Sequence, residues 1–338
     1  MREQREKTSS MSATGSSTIS STDHWLLVGG RVTKNILVSG GPVVAWFFLI
    51  LYLSFATPHF LTISNLLNIT RQSSINAILA IGQTLVIISA GIDLSVGAVL
   101  ALSASMSAVA MSYWGFNFWL GILLGLGTGA LLGLITGTII TKGRIPDFIA
   151  TLGMMITARG VALILTGGLP VPSHFTATAL KGYLPQGLIW LGSGDVLGVP
   201  APALIIIAVT ILGWMILAHT TLGRAIYAVG GNSEAARISG INIERTKIIS
   251  YTIMGFLAGF AGIVLTGRLN SAHPLMADGA ELQCIAAVVI GGTNLFGGAG
   301  GVVGLPADVR IARAPCLAER GGMAGARAVP ELQEAARG

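Results

Sequence analysis

Charged side chains are scarce in this sequence. Asp, Glu, Lys and Arg together make up 10% of its 338 residues, whereas 52% of the residues are apolar. A soluble domain carries about 25% charged residues. The composition therefore excludes an ordinary soluble protein and indicates a chain that resides in a lipid bilayer.

The sequence also lacks the residue patterns of catalytic and cofactor-binding sites. Its two cysteines, Cys284 and Cys316, provide neither a disulfide framework nor a metal cluster. The five histidines stand singly, without the spacing of metal ligands. The nucleotide-binding loop GxxxxGKS or GxxxxGKT is missing as well. We therefore predict no catalytic residues, no cofactor and no metal site, and a chain that is not an enzyme.

Long apolar runs dominate what is present. Because a helix needs about 17–25 apolar residues to cross the hydrocarbon core, the runs predict an all-α, polytopic membrane bundle of seven or eight transmembrane segments. The predicted spans are 36–56, 73–90, 95–113, 117–141, 148–167, 201–218 and 248–267, with a shorter apolar stretch at 282–290. The Ser- and Thr-rich segment 1–35 is predicted to be a disordered N-terminus rather than a cleaved signal peptide.

The basic residues lie mostly between the apolar segments. Segments 1–35, 142–147 and 219–247 carry 11 Lys and Arg, and the segments on the opposite side carry 3. The positive-inside rule therefore predicts a cytoplasmic N-terminus. This distribution also explains the net charge of +6 without nucleic acid as a partner.

The fourth predicted span has glycine at every fourth position. The glycines lie on one face of the helix, at positions 121, 125, 129, 133 and 137. A face without side chains lets the backbone of a neighbouring helix approach closely. We predict a packing seam there. The segment 168–199 is predicted to lie outside, with short helices on the bundle and Tyr183 and Trp190 at the membrane interface.

The longest polar stretch between spans is 221–247, and its inner part NSEAARISG is typical of a short helix. Asn232 or Ser233 can cap it, Glu234 suits its positive end, and Gly240 can end it in a left-handed conformation. A capped helix between two spans fits a docking element for a soluble partner. A solvated connection between the spans fits the residues equally well.

Four motifs in this order resemble the permeases of ribose-, xylose- and galactoside-type ABC sugar importers. They are GQTLVIISAGIDLSVGAVLALSA (82–104), TLGMMITARGVALILTGG (151–168), GRAIYAVGGNSEAARISGINIERTK (223–247) and ELQCIAAVVIGGTNLFGG (281–298). The resemblance runs from about residue 40 to residue 304 and implies a permease domain over 36–304. It also implies a multi-pass protein of a bacterial inner membrane that imports a monosaccharide such as ribose.

The resemblance implies partners as well. A second permease subunit would complete a homo- or heterodimer, and a periplasmic or tethered binding protein would deliver the sugar. A separate ABC ATPase would dock on the coupling loop 219–247. The coupling residues implied there are Gly230, Gly231, Asn232, Glu234, Ala235, Ala236 and Gly240.

Polar residues within or beside the spans are candidates for the translocation path. They are Asn76, Gln83, Asp93, Ser95, Ser103 and Arg159. A structural hydrogen bond between helices is the alternative for each, and Arg159 requires a carboxylate or a helix carboxyl end as its partner. Asp93 fits an N-cap of the following helix. In the alternative function, a proton- or ion-coupled secondary transporter, Asp93 is the coupling carboxylate.

The resemblance stops in the glycine-rich segment that ends at residue 304. Family members are expected to continue with further apolar spans, whereas residues 305–338 contain five Arg, nine Ala and three Pro and no run long enough to span a membrane. We expect a disordered tail there, and we interpret the change as a frameshift or truncation. A genuine cytoplasmic tail is the alternative.

Overall fold

The computed structural model describes residues 47–172 and 183–302. The predicted N-terminal segment 1–35, part of the first predicted span and the segment 305–338 lie outside these residues, and so do Lys181, His174 and Cys316. The chain divides into two compact units, 1–62 and 63–338. Within the first unit, the described part forms helix α1, Phe47–Ala56.

The described part of the second unit is almost entirely helical, so the predicted all-α polytopic bundle is confirmed. Its helices are α2 (Ile63–Ile88), α3 (Val96–Ser112), α4 (Phe118–Lys142), α5 (Asp147–Thr166), α6 (Gln186–Ser193), α7 (Ala201–His219), α8 (Thr221–Gly231), α9 (Ser233–Ile238), α10 (Ile243–Leu269) and α11 (Ala280–Ile290). Strands β1 (Asp195–Val196) and β2 (Val199–Pro200) form a short antiparallel hairpin. Within the described residues, α4, α5, α7 and α10 are long and apolar enough to cross a membrane by themselves.

Most predicted spans match a helix to within a few residues. The exception is α2, which begins at Ile63 rather than near residue 73. Its first turns carry polar side chains, and Arg71 there forms an ion pair of 2.9 Å with Asp195 of strand β1. Apolar runs alone therefore do not predict the polar first turns of α2, because this helix extends beyond its apolar run. The predicted short helices in 168–199 are represented by α6.

Helix α10 lies at the centre of the bundle, packed against α2, α3, α4 and α6. Helix α3 is buried along its length, with Met106 alone partly exposed. A helix that is apolar all round belongs in the interior of a bundle. Helix α3 therefore lacks a free face, and the peripheral helices α4, α5 and α7 present large apolar side chains outward.

The predicted glycine seam joins α4 to α10. All five glycines of the repeat are buried, and Gly129 lies directly against the carbonyl oxygen of Gly255 on α10. Gly133 lies in the same way against the carbonyl of Tyr251. The two backbones are thus in van der Waals contact, and the prediction of a close packing seam is confirmed.

The bundle has two chemically different ends. The end with the predicted docking helix α9, called the docking end below, comprises the turn 89–95, the loop 143–146, helices α8 and α9 and the start of α10. There the Tyr251 hydroxyl of α10 lies 3.4 Å from the Ile92 carbonyl of the turn 89–95. The hairpin end comprises α6, the β hairpin and the first residues after α10. There Gly192 of α6 lies against Gly267 of α10.

Replacing Gly129 by Ala is expected to destabilise the bundle. The new methyl group would overlap the Gly255 carbonyl oxygen, and overpacking of this kind costs about 1–3 kcal/mol. Gly127→Ala is the matched control, because nothing lies within 4 Å of a methyl group there. Thermal unfolding in detergent, followed by circular dichroism, should show a lower Tm for Gly129→Ala only. Equal Tm values for both variants would contradict the seam.

Candidate functional site at the docking end

Helix α9 is the predicted short helix of the coupling loop, and its capping follows the prediction. Asn232 Oδ1 accepts a hydrogen bond of 2.9 Å from the Ala235 N–H. Gly240 adopts a left-handed φ of 81° after the helix. Asn242 then caps α10 by accepting a 2.8 Å hydrogen bond from the Arg245 N–H. The chain therefore passes from α9 into α10 through a tight turn, and the N-terminal ends of both helices are capped.

Helix α8 was not predicted. Residues 221–231 were interpreted as loop, although the apolar residues at 222, 225, 226 and 229 repeat with a helical period. Ile226 and Val229 are buried, and the Tyr227 hydroxyl donates a 2.7 Å hydrogen bond to the Gly300 carbonyl. Burial raises the pKa of Tyr227, so the hydroxyl stays protonated and remains a donor. Helix α8 thus fixes α9 to the bundle.

The outer side of α9 is exposed. Ala236 alone is buried, whereas Glu234, Ala235, Arg237 and Ile238 face away from the bundle. Glu234 and Arg237 form an exposed ion pair of 2.8 Å. Ile238 is 81% exposed. We call these four residues the α9 surface.

A second polar group at the docking end lies around Asp147, the first residue of α5. Lys247 Nζ donates a hydrogen bond of 2.9 Å to Asp147 Oδ2. The Tyr251 hydroxyl lies 3.1 Å from the same oxygen and 3.4 Å from the Ile92 carbonyl. Sequence reasoning missed this group because Asp147 and Lys247 are 100 residues apart and neither stands inside an apolar span.

Two cavities adjoin this ion pair. One of about 700 Å³ lies between the 140–147 segment, the α8–α9 junction and the start of α10. The other, of about 340 Å³, lies beside Gly91, Ile92 and Phe296. Ala90, Asp147 and Lys247 line both cavities. The ion pair therefore stands between two spaces at the docking end.

Asp93 is not the N-cap of α3 that the sequence suggested. Ser95 occupies the cap position, and its side chain makes no capping hydrogen bond. Asp93 Oδ1 instead accepts hydrogen bonds from the Ser95 N–H at 2.7 Å and the Ser95 hydroxyl at 2.6 Å. This i to i+2 pattern is an Asx turn, so the carboxylate shapes the turn before the helix. Burial raises the pKa of Asp93, and both Ser95 hydrogen bonds oppose that shift.

The other predicted polar residues lie apart from this end. Arg159 Nη1 donates to the carbonyls of Pro274 and Met276 at 2.9 and 2.8 Å, and its Nη2 lies 3.4 Å from Asp278 Oδ1. The expected carboxylate partner of Arg159 is therefore present, in the segment between α10 and α11. The Arg159 guanidinium is thus hydrogen-bonded to the backbone of the turn between α10 and α11.

Two amide candidates behave differently from each other. Asn76 Nδ2 donates a 3.3 Å hydrogen bond to Gln283 Oε1 on α11. Gln83 and Ser103 are fully buried, and their side-chain polar atoms have no hydrogen-bond partner among the described residues. The predicted path residues therefore do not form one cluster. Within residues 47–172 and 183–302, no three His, Cys, Asp or Glu side chains group as metal ligands would.

Comparison with known proteins assigns the bundle to a family. Residues 65–304 match the profile of a family described as branched-chain amino acid transport system / permease component. The chain belongs to this family of permeases. The match covers most of the chain and includes both ends of the bundle, α9 and the Asp147 group. The protein is thus a multi-pass inner-membrane permease, a transport component and not an enzyme.

Several curated relatives are similar over most of their length. The permease is 48% identical over 282 residues to the ribose import permease protein of Escherichia coli (strain K12), which covers 82% of this chain and 85% of that relative. It is 43% identical over 270 residues to the ribose import permease protein of Haemophilus influenzae, with 80% and 81% covered. It is 35% identical over 297 residues to the xylose transport system permease protein of Escherichia coli (strain K12), with 72% and 75% covered. No solved structure matches the chain.

Substituting Asp93 should separate its structural role from a proton-carrying role. Asp93→Asn keeps an oxygen that accepts the Ser95 N–H hydrogen bond but removes the titratable group. Asp93→Leu removes both, and an unpaired buried N–H costs about 1–3 kcal/mol. We expect normal yield, Tm and transport for Asp93→Asn and a lower Tm for Asp93→Leu. A folded Asp93→Asn permease without transport would contradict the structural role.

Proposed function

We propose that this permease is the membrane subunit of an ATP-driven importer for a monosaccharide such as ribose. The observation that carries the proposal is the 48% identity to a ribose import permease over 82% of the chain. The relative named for xylose transport is less similar, at 35% identity, which favours ribose over xylose.

A separate ATPase supplies the energy in this proposal, because the sequence contains no nucleotide-binding loop. The α9 surface is its docking element. A partner can bury Ile238 and Ala235 while the Glu234–Arg237 ion pair sets the orientation at the rim. The 81% exposure of Ile238 leaves this side chain available for such a contact.

The docking end faces the cytoplasm in this arrangement. It carries the basic segments 142–147 and 219–247, and the opposite side has few Lys and Arg. The hairpin end then faces the periplasm, where a binding protein, soluble or tethered, delivers the sugar. A second permease subunit completes the translocation path.

Transport then follows from two access states of similar energy. Movement of the ATPase displaces α9, and the capped turn 239–242 carries this displacement into α10. Because α10 packs against α2, α3 and α4, its motion changes how these spans meet. ATP binding and hydrolysis thus shift the population between the outward- and inward-facing states.

Uptake by proteoliposomes tests this function. The permease, reconstituted with its ATPase and binding protein, should accumulate labelled ribose only when ATP is present on the cytoplasmic face and sugar-loaded binding protein on the opposite face. An ATPase variant that binds but does not hydrolyse ATP is the control and should give background uptake. Uptake that needs a proton gradient and ignores ATP would instead establish the secondary transporter with Asp93.

The docking role of α9 is tested by Ile238→Asp. A buried, unpaired carboxylate in the contact should reduce ATPase co-purification by at least about tenfold, because burying a charge in an interface costs several kcal/mol. Leu197→Asp is the control: Leu197 is fully exposed at the tip of the hairpin, at the other end of the bundle. Equal ATPase recovery with both variants, at equal permease levels in the membrane, would refute docking at α9.

A further inference from the structure

Three segments of the permease meet at one carboxylate oxygen. Asp147 Oδ2, at the start of α5, lies 2.9 Å from Lys247 Nζ and 3.1 Å from the Tyr251 hydroxyl, both on α10. A methyl group on Gly91 would lie 2.8 Å from the same oxygen and 2.8 Å from the Tyr251 hydroxyl. The turn 89–95 therefore approaches the ion pair as closely as a residue without a side chain permits.

The position of Lys247 connects this cluster to α9. Lys247 is in the second turn of α10, which begins at Ile243 directly after the Asn242 cap. Only residues 239–242 separate α10 from α9. Because a helix moves as a rigid rod over such a short distance, a displacement of α9 that tilts the start of α10 also moves Lys247 relative to Asp147.

The ion pair also divides the space at the docking end. Ala90, Asp147 and Lys247 form a common wall of the cavities of about 700 and 340 Å³. Separation of the two side chains would join these cavities and would release the turn 89–95 from α5 and α10. That turn leads directly into α3, which is buried among the central helices.

We infer that the Asp147–Lys247 ion pair is a latch that opens in each transport cycle and transmits movement of α9 to the turn 89–95 and α3. This inference rests on the proposed function, because it requires an ATPase that moves α9. The latch is a positioning device: neither side chain needs to contact the sugar.

The burial of the pair suits a contact that opens and closes. The side chains of Lys247 and Asp147 are 19% and 18% exposed, so water reaches both charges when they separate. A fully buried pair would leave bare charges in an apolar interior on opening, which is strongly unfavourable. A fully exposed pair would hold nothing in place. The two latch states can therefore be close in energy, as alternating access requires.

Loss of one charge should uncouple the complex. In the reconstituted permease–ATPase–binding protein complex, Lys247→Met is expected to lower ribose uptake by about tenfold or more. ATP hydrolysis should persist but lose its stimulation by sugar-loaded binding protein. Lys142→Met is the matched control, since it removes an exposed lysine at the end of α4, outside the latch and the α9 surface, and should leave this stimulation intact.

The reciprocal exchange tests whether the pair, and not either residue alone, is required. The double variant Asp147→Lys with Lys247→Asp should recover most of the uptake and stimulation that Lys247→Met loses. Wild-type stimulation in Lys247→Met would overturn the latch. So would a folded exchange variant that is as uncoupled as the single variant.

A reversible cross-link tests directly whether the ion pair opens. It also tests the latch if the exchange variant does not fold. In a background with Cys284→Ser and Cys316→Ser, the variant Asp147→Cys with Lys247→Cys is bridged by a short bifunctional thiosulfonate. Bridging should stop uptake, and reductant should restore it. Full uptake by the bridged complex would overturn the latch, whereas a wild-type complex without ATP-dependent uptake would overturn the proposed function instead.

Discussion

The backbone contact between α4 and α10 is the constraint on which the rest of the bundle depends. Gly129 and Gly133 bring α4 against the carbonyls of Gly255 and Tyr251, so the two helices are held closer than side chains would allow. In a bilayer this proximity matters, because helix association there depends on close packing and hydrogen bonds rather than on water exclusion. The same contact sets the position of α10, which carries both Lys247 and Tyr251.

Fixing α10 along its middle gives its two ends different freedom. The glycine seam, which reaches Ile248 and Tyr251, and the contacts with α2 and α3 hold α10 from there onward. Residues 243–247 are held by the Asn242 cap and by the contact of Lys247 with Asp147. Polar contacts can be exchanged for water, but backbone packing cannot. A force applied at α9 therefore acts first on the polar contacts at the start of α10.

Much of the fold was predictable because membrane spans and caps are local properties of a sequence. The spans near 95–113 and 117–141 follow from apolar runs, and Asn232 and Gly240 followed from capping preferences. The Asp147–Lys247 pair could not be predicted, since nothing local connects residues 100 positions apart. Asp93 was assigned to the wrong hydrogen-bond pattern because an Asx turn and an N-cap use the same residue type at neighbouring positions.

Polar side chains within the spans were the least informative predictors of the candidate site. Many hydroxyls are satisfied inside their own helix: Thr136 donates to the Leu132 carbonyl at 2.8 Å, and Thr266 donates to the Gly262 carbonyl at 2.8 Å. Arg159 is satisfied by the backbone turn at 274–276. A buried polar residue therefore does not by itself indicate a substrate contact.

Connectivity distinguishes the functional ion pair from the others more clearly than burial or distance does. Arg71–Asp195 and Lys247–Asp147 have the same separation of 2.9 Å. The first joins α2 to the β hairpin at the hairpin end of the bundle, away from α9. The second joins the helix that follows α9 to α5 and, through Tyr251, to the turn before α3. Only a contact in that position can respond to a movement of α9 and alter the central helices in the same step.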